Sequence, residues 1–248
     1  MAIARCDVSL TPSEIPSALT DTAVVVMDVL RATTTIVYAL QSGAERVIPC
    51  EEPADALAMR ERFGAHPVVL GGERDSVRIP GFDLDNSPLS YTREAVQGKT
   101  VAFTTTNGTR ALHRAMQASP HAILCGAFVN LGAVVQRLLR MDPPNVLLAC
   151  AGSEGAAALE DVLLAGAVAD RLSTADSRVS LSDAAKVAAL AYRSAQEDLQ
   201  ASIASSDHAQ TLIRAGFADD VSLAAQVDRA LIVPVVQGGE ITAAATSL

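Results

Sequence analysis

The chain is poor in the residues that hold nucleic acids and membranes. Phe, Tyr and Trp together make up 3% of its 248 residues, with no Trp, so there are few rings on which bases could stack. Positive charge is also short: 19 Lys and Arg stand against 28 Asp and Glu, a net charge of −9 that repels a phosphate backbone. Nucleic acid is therefore not an expected partner. No apolar run approaches the ~20 residues of a membrane-spanning helix, and runs such as Ala23 to Met27 are strand-sized. Arg5 and Asp7 fall where a signal peptide would need its apolar core, so a cytoplasmic protein without a membrane partner is expected. The cysteines, Cys6, Cys50, Cys125 and Cys150, are 44, 75 and 25 positions apart. That spacing fits no zinc or redox motif and reads as buried thiols. Neither a GxxxxGK[ST] phosphate loop nor a GxGxxG fingerprint occurs, which removes support for nucleotide cofactors.

What is present is β-α alternation. Short β-branched runs recur at Ala23 to Met27, Arg46 to Ile48, Pro67 to Leu70, Thr100 to Phe103, Ala122 to Leu124 and Asn145 to Leu148, with a weaker first strand at Ile3 to Leu10. Between them, Thr35 to Leu40, Ala54 to Phe63, Ala111 to Met116 and Leu131 to Leu139 have helical spacing. Parallel strands need crossovers, usually helical, so the pattern predicts a three-layer α/β/α domain with a mixed, mostly parallel sheet. From about residue 173 the texture becomes Ala-rich helix, and a last strand is expected over 230–236, all within a single domain spanning 1–248. The segment from Gly71 to Pro88 has little periodicity over 18 residues and reads as a site loop or lid.

Ligands of open α/β sheets sit beyond the carboxyl ends of the strands. There the sequence places Asp28 with Arg31, Thr33 and Thr34; Gly71, Gly72, Glu73 and Arg74; Thr104, Thr105, Thr106, Asn107, Gly108, Thr109 and Arg110; and Cys150 to Gly155. The threonine-rich turn before a helix offers hydroxyls, free amides and the positive end of a helix dipole to an anion. A single Thr or Asn would suffice for an ordinary cap. Arg31, Arg74 and Arg110 each follow a strand end, and together they would grip a polyanion, whereas each alone would be a surface ion pair. Asp28, costly to desolvate at the end of an apolar strand, is a candidate metal ligand with Glu73 and the pair Glu160 and Asp161; the plainer account pairs it with Arg31. His66, His113, His121 and His208 read as surface or packing residues, and Cys150 as a buried thiol more than a nucleophile.

The strings VVVMDVLRATTTI (24–36), GGER (71–74), GFDLDNSP (81–88), TTTNGTRAL (104–112) and LEDVLLAGA (159–167) resemble, in order, those of the 2-phosphosulfolactate phosphatase family. The resemblance implies an Mg²⁺-dependent phosphatase that converts 2-phospho-3-sulfolactate to 3-sulfolactate and phosphate, a step of coenzyme M biosynthesis, on an α/β/α fold. It makes Asp28, Arg31, Glu73 and Arg74 the catalytic candidates and adds Asn86 to the substrate-binding threonines, Asn107, Gly108 and Arg110. Two positions depart from the pattern: Asp85 stands where similar proteins have glycine, and Ser90 where an acidic residue is common. The alternatives are a non-catalytic protein that binds a small organic anion, separable by the need for metal carboxylates, and a hydrolase of another phospho-2-hydroxy acid. Apolar, Ala-rich helices after Leu181 suggest a homo-oligomer.

Overall fold

The computed structural model describes residues 3–244. Its strands are β1 (Arg5–Ser9), β2 (Thr22–Met27), β3 (Arg46–Pro49), β4 (Val68–Arg74), β5 (Val77–Arg78), β6 (Thr100–Thr104), β7 (Ala122–Gly126), β8 (Asn145–Cys150), β9 (Ser180–Leu181), β10 (Val233–Gln237) and β11 (Glu240–Ala244). The helices are α1 (Ala32–Gln41), α2 (Pro53–Phe63), α3 (Arg93–Val96), α4 (Gly108–Gln117), α5 (Leu131–Met141), α6 (Leu159–Ala175), α7 (Asp183–Ala195), α8 (Leu199–Ala204), α9 (Asp207–Arg214) and α10 (Ala218–Ala224). All strands join one mixed, mostly parallel sheet in the order β5-β4-β6-β3-β11-β10-β7-β2-β8-β1-β9, with helices on both faces.

β2 shows why the sheet is covered twice. Its side chains alternate: Val24 and Val26 pack with Ile36 of α1, Leu112 of α4 and Phe103, while Val25 and Met27 pack with Leu148 and with Leu163 and Leu164 of α6. A strand buried on both faces reads as a continuous apolar run instead of an alternating one.

The end of the chain departs from the sequence expectation. In place of one strand over 230–236 there is a hairpin, β10 and β11, joined by Gly238 and Gly239 with φ of +59° and +83°. Two central residues with positive φ form the turn whose twist matches a hairpin, and a Gly-Gly pair is its sequence mark. The hairpin lies in the middle of the sheet, antiparallel to β7 on one side and to β3 on the other. Following the pairings across, the parallel block β4-β6-β3 therefore runs opposite to the block β7-β2-β8-β1-β9. The simple expectation of one common carboxyl edge fails here, yet residues that follow β2 in one block and β4 and β6 in the other line one cavity. The Gly71 to Pro88 loop is also shorter than expected, because β4 continues to Arg74 and turns back through Asp75 and Ser76 into β5.

The C-terminal helices are tied to the β2-α1 corner by charge. Arg31 Nη1 lies 2.8 Å from Asp220 Oδ2 of α10, each side chain 2% exposed. The hydroxyl of Ser87 donates to the other Asp220 oxygen at 2.6 Å, and the Arg31 guanidinium stacks 4.1 Å from the Phe217 ring centroid. Removing one partner of a buried pair strands the other without compensation, a loss of about 3–5 kcal/mol. Asp220→Ala is therefore expected to lower unfolding free energy by that amount in urea titrations, with Asp220→Asn losing less because it still accepts from Ser87.

Candidate active site

A cleft of about 690 Å³ opens where the carboxyl ends of β2, β4 and β6 face the amino ends of α1, α4, α6 and α9. Asp28, Glu73, Asp75, Glu154, Glu160 and Asp207 bring six carboxylates to its wall, against the cations Arg31 and, when protonated, His208. Net negative charge is thus concentrated in this cleft.

Asp28 follows the last residue of β2 and is 7% exposed. Its Oδ1 accepts from the Ala32 amide at 3.0 Å, capping α1, which has no cap from its own N-terminal side chain. Oδ2 looks toward α4, where a Cβ on Gly108 would come within 2.7 Å of it, so only glycine lets the helix start this close. Burial, then the charges of Glu73 and Glu160, push the Asp28 carboxyl up to about 6, against the pull of His208 and of the Ala32 amide.

Glu160 is almost wholly buried in the first turn of α6. Its Oε1 lies 3.3 Å from His208 Nδ1, and its Oε2 has no hydrogen-bond partner. Burial disfavours the charged form of His208, but the hydrogen bond and charge of Glu160 and the charge of Asp28 outweigh it, leaving its pKa above the ordinary value. The sequence reading of His208 as a surface or packing residue is corrected. The imidazole enters the cleft from the first turn of α9, capped by Ser206, far along the chain from any strand end. No local motif marks it.

Glu73, at the end of β4, is held rigidly. Its Oε1 accepts from the Thr106 amide at 2.9 Å and its Oε2 from the Ser76 amide at 2.8 Å. Asp161 does not line the cleft. Its oxygens accept from the Val29 amide at 2.8 Å and the Gly152 amide at 3.1 Å, stapling the β2-α1 corner to the β8-α6 corner. Burial, with the charges of Glu160 and Asp28, holds its carboxyl well above the usual range. A metal shared by Asp28, Glu160 and Asp161 has no support in this arrangement, because Asp161 is spent on backbone.

The threonines divide in the same way. Thr33 hydrogen-bonds across to the carbonyls of Asp28 and Gly126, and Thr34 donates to the Val29 carbonyl. Thr105 and Thr109 bond each other's backbone, and Thr104 donates to the Glu51 carbonyl. These five hydroxyls shape turns and do not face the cleft, so the anion-holding expectation narrows to Thr106 and Asn107. Thr106 Oγ1 and Asn86 Oδ1, both at the cleft, are buried without a hydrogen-bond partner, like Glu160 Oε2. Buried polar atoms are rarely left unpaired, and three around one cavity mark where a ligand would bond.

The three arginines do not converge. Arg31 lines the cleft but is already bound to Asp220. Arg74 follows Glu73 in a strand, where successive side chains point to opposite faces, so it turns away into a second pocket with Arg110. Asp85 and Ser90, the two departures from the family pattern, satisfy each other: the Ser90 hydroxyl donates to Asp85 Oδ1 at 2.9 Å, and the Ser87 amide does the same. Cys150 is buried, and its thiol is pushed well above its ordinary value by burial and by Asp161, which suits packing and not nucleophilic attack. Among the described residues no three His, Cys, Asp or Glu side chains form a metal-holding group, and no helix is long and apolar enough to cross a membrane.

A twisted α/β sheet whose helix amino ends enclose an acidic, partly unsatisfied cleft is the framework of a phosphoric monoester hydrolase. A family model described as 2-phosphosulpholactate phosphatase matches residues 9–239. Relatives named probable 2-phosphosulfolactate phosphatase include one from Symbiobacterium thermophilum, 38% identical over 94% of this chain and 98% of the relative. Others come from Synechococcus sp. (strain CC9605), 41% identical over 94% and 97%, and from Thermotoga petrophila, 41% identical over 87% and 89%. The chain belongs to the 2-phosphosulfolactate phosphatase family.

The raised Asp28 group makes a stability prediction. A carboxyl at about 6 in the fold and near 3.8 when unfolded binds its proton more tightly in the native state. The native state therefore loses stability as pH rises between those values, and above them the full penalty stands, on the order of 3 kcal/mol. Asp28→Asn, measured with chelator present, is expected to melt at a higher temperature than the parent at pH 8. The gain should vanish near pH 3.5; an equal gain at both values would refute the linkage.

Proposed function

We propose that the cleft hydrolyses a phosphate monoester of a small hydroxy acid with the help of Mg²⁺, and that 2-phospho-3-sulfolactate is the substrate. The names of the relatives support the substrate. The observation that carries the cation is the charge of the cleft: six carboxylates against Arg31 and His208 would repel a substrate bearing phosphate, carboxylate and sulfonate. Mg²⁺ takes one or two carboxylates and completes its shell with water and substrate oxygens. Asp28, through Oδ2, and Glu160, through the unpartnered Oε2, fit that modest requirement. When bound, the ion supplies the positive charge that admits the phosphoryl group and acidifies a water.

The chain's own residues do the rest. The unpartnered Thr106 hydroxyl and the side-chain NH₂ groups of Asn107 and Asn86 orient the substrate oxygens, while the unpartnered Asn86 Oδ1 accepts from a substrate or water hydroxyl. The amino ends of α4 and α6, neither capped by the side chain preceding it, aim backbone N–H groups and the positive ends of their dipoles toward the same space. His208, its Nδ1–H directed at Glu160, presents Nε2 to the cleft and gives a proton to the leaving oxygen. The P–O bond breaks with its electron pair on that oxygen, water supplies the hydroxyl that remains on phosphorus, and the second proton of that water passes to solvent, from which His208 recovers its own.

Phosphate release from 2-phospho-3-sulfolactate, 2-phospholactate, 2-phosphoglycerate and p-nitrophenyl phosphate, each with and without Mg²⁺, tests the reading. Release is expected only with the ion and fastest from the sulfonate; no release from any of the four sinks it, and a preference for a compound lacking sulfonate replaces the substrate. His208→Gln should cost about 10²-fold or more on the alkyl phosphates. On p-nitrophenyl phosphate, whose leaving group needs no proton, it should cost little. Equal losses on both would remove the proton-donor role.

A further inference from the structure

Beside the acidic cleft lies a second pocket of about 390 Å³ with the opposite character. Its basic side chains are Arg74, Arg110, His113 and Arg114, and its acids are Glu51 and Glu52. The acids sit at the rim, 57% and 74% exposed, where water screens them. Arg74 is fixed in place: its guanidinium donates to the carbonyls of Glu73 and Glu51 and to the Thr104 hydroxyl, at 2.8, 3.0 and 3.0 Å. Arg114 is held through one nitrogen by the Ile15 carbonyl, and His113 by the Pro49 carbonyl and Glu51. Arg110 has no ion pair or hydrogen bond among the described residues, although it stands one turn into α4 above this pocket.

In a chain of net charge −9, Glu52 reaches Arg74 only at 4.0 Å and from an exposed position, while Arg114 is bound to a neutral carbonyl and Arg110 to nothing among the described residues, so the two rim acids cancel only part of the positive charge of the pocket. We propose that this pocket is a second site, distinct from the cleft, that binds a small tetrahedral oxyanion, phosphate or an organic sulfonate, without a metal. Two features separate it from the cleft. The two cavities share one lining residue, Thr106, and the Glu73 carboxylate holds the Thr106 amide from the cleft side. Arg110, whose guanidinium makes no other bond among the described residues, presents a planar fork suited to two oxygens of the anion at once, and Arg74, its Nη2 hydrogens taken by Glu51 and Thr104, adds charge beside it. The chemistry of the ligand is that of the groups released by the proposed reaction, so the pocket would fill as product accumulates.

The proposal goes beyond the hydrolytic reading and is tested without turnover. Equilibrium dialysis of radiolabelled inorganic phosphate is run at physiological ionic strength with chelator, so that the acidic cleft lacks any cation to attract it. Saturable binding of one phosphate per chain is expected, with methanesulfonate as the competing arm: displacement assigns the site to sulfonates as well, and failure to displace confines it to phosphate. Arg110→Ala, or Arg110→Gln should the first lower the melting temperature, is expected to weaken binding at least tenfold. Asp28→Asn should leave it in place. Absence of saturable binding in the parent, or binding untouched by both Arg110 variants, overturns the second site. Loss of phosphate release in the substrate panel would count against the hydrolytic reading alone.

Discussion

The arrangement turns on the cost of holding like charges out of water. Asp28, Glu160 and Asp161 are each buried; the charge of Glu160 raises the carboxyls of Asp28 and Asp161, and that of Asp28 raises Asp161 as well. Most of the local structure answers that cost. Asp161 accepts from two backbone amides, Asp28 from one amide in the first turn of α1, and Glu160 pairs with His208. One oxygen of Glu160 is left with nothing. Asn86 Oδ1 and Thr106 Oγ1, at the same cleft, share that condition, so the unsatisfied groups gather where the buried charge does.

Charge is sorted by the geometry of single elements. Glu73 and Arg74 are neighbours in β4, and the pleat sends one to the cleft and the other to the basic pocket. Around the turn into α4, Asn107 faces the cleft while Arg110, three residues on, faces away. The buried Arg31 shows a third outcome: its charge is matched by Asp220, so it contributes shape and hydrogen bonds more than field. The acidic cleft and the basic pocket thus draw on different faces of the same two segments.

Much of this was legible in residue order. The apolar runs ending in Asp28, Glu73 and Thr104 gave strands because burial on both faces requires continuous β-branched sequence, and the helices between them followed from their period. The family strings placed Asp28, Glu73, Asn86, Thr106, Asn107 and Glu160 near one another before any geometry was known, and all six line the cleft. The sequence could not separate Thr106 from Thr105 and Thr109, because a hydroxyl that caps a turn and one that awaits a ligand are written with the same letter. Nor could it separate Glu160 from Asp161, adjacent acids whose side chains diverge by the turn of a helix.

The residue pattern by itself determined the α/β alternation, the acidic balance and the cluster of chemistry at strand ends, since periodicity and composition are properties of neighbours along the chain. Tertiary structure alone decided the rest. It inserted the β10-β11 hairpin between two parallel blocks, reversing one against the other, and still brought ends of both to a single cleft. It also brought His208 to Glu160 and Asp220 to Arg31 across 48 and 189 residues of chain. Such pairings depend on how distant surfaces pack, and no local period encodes them.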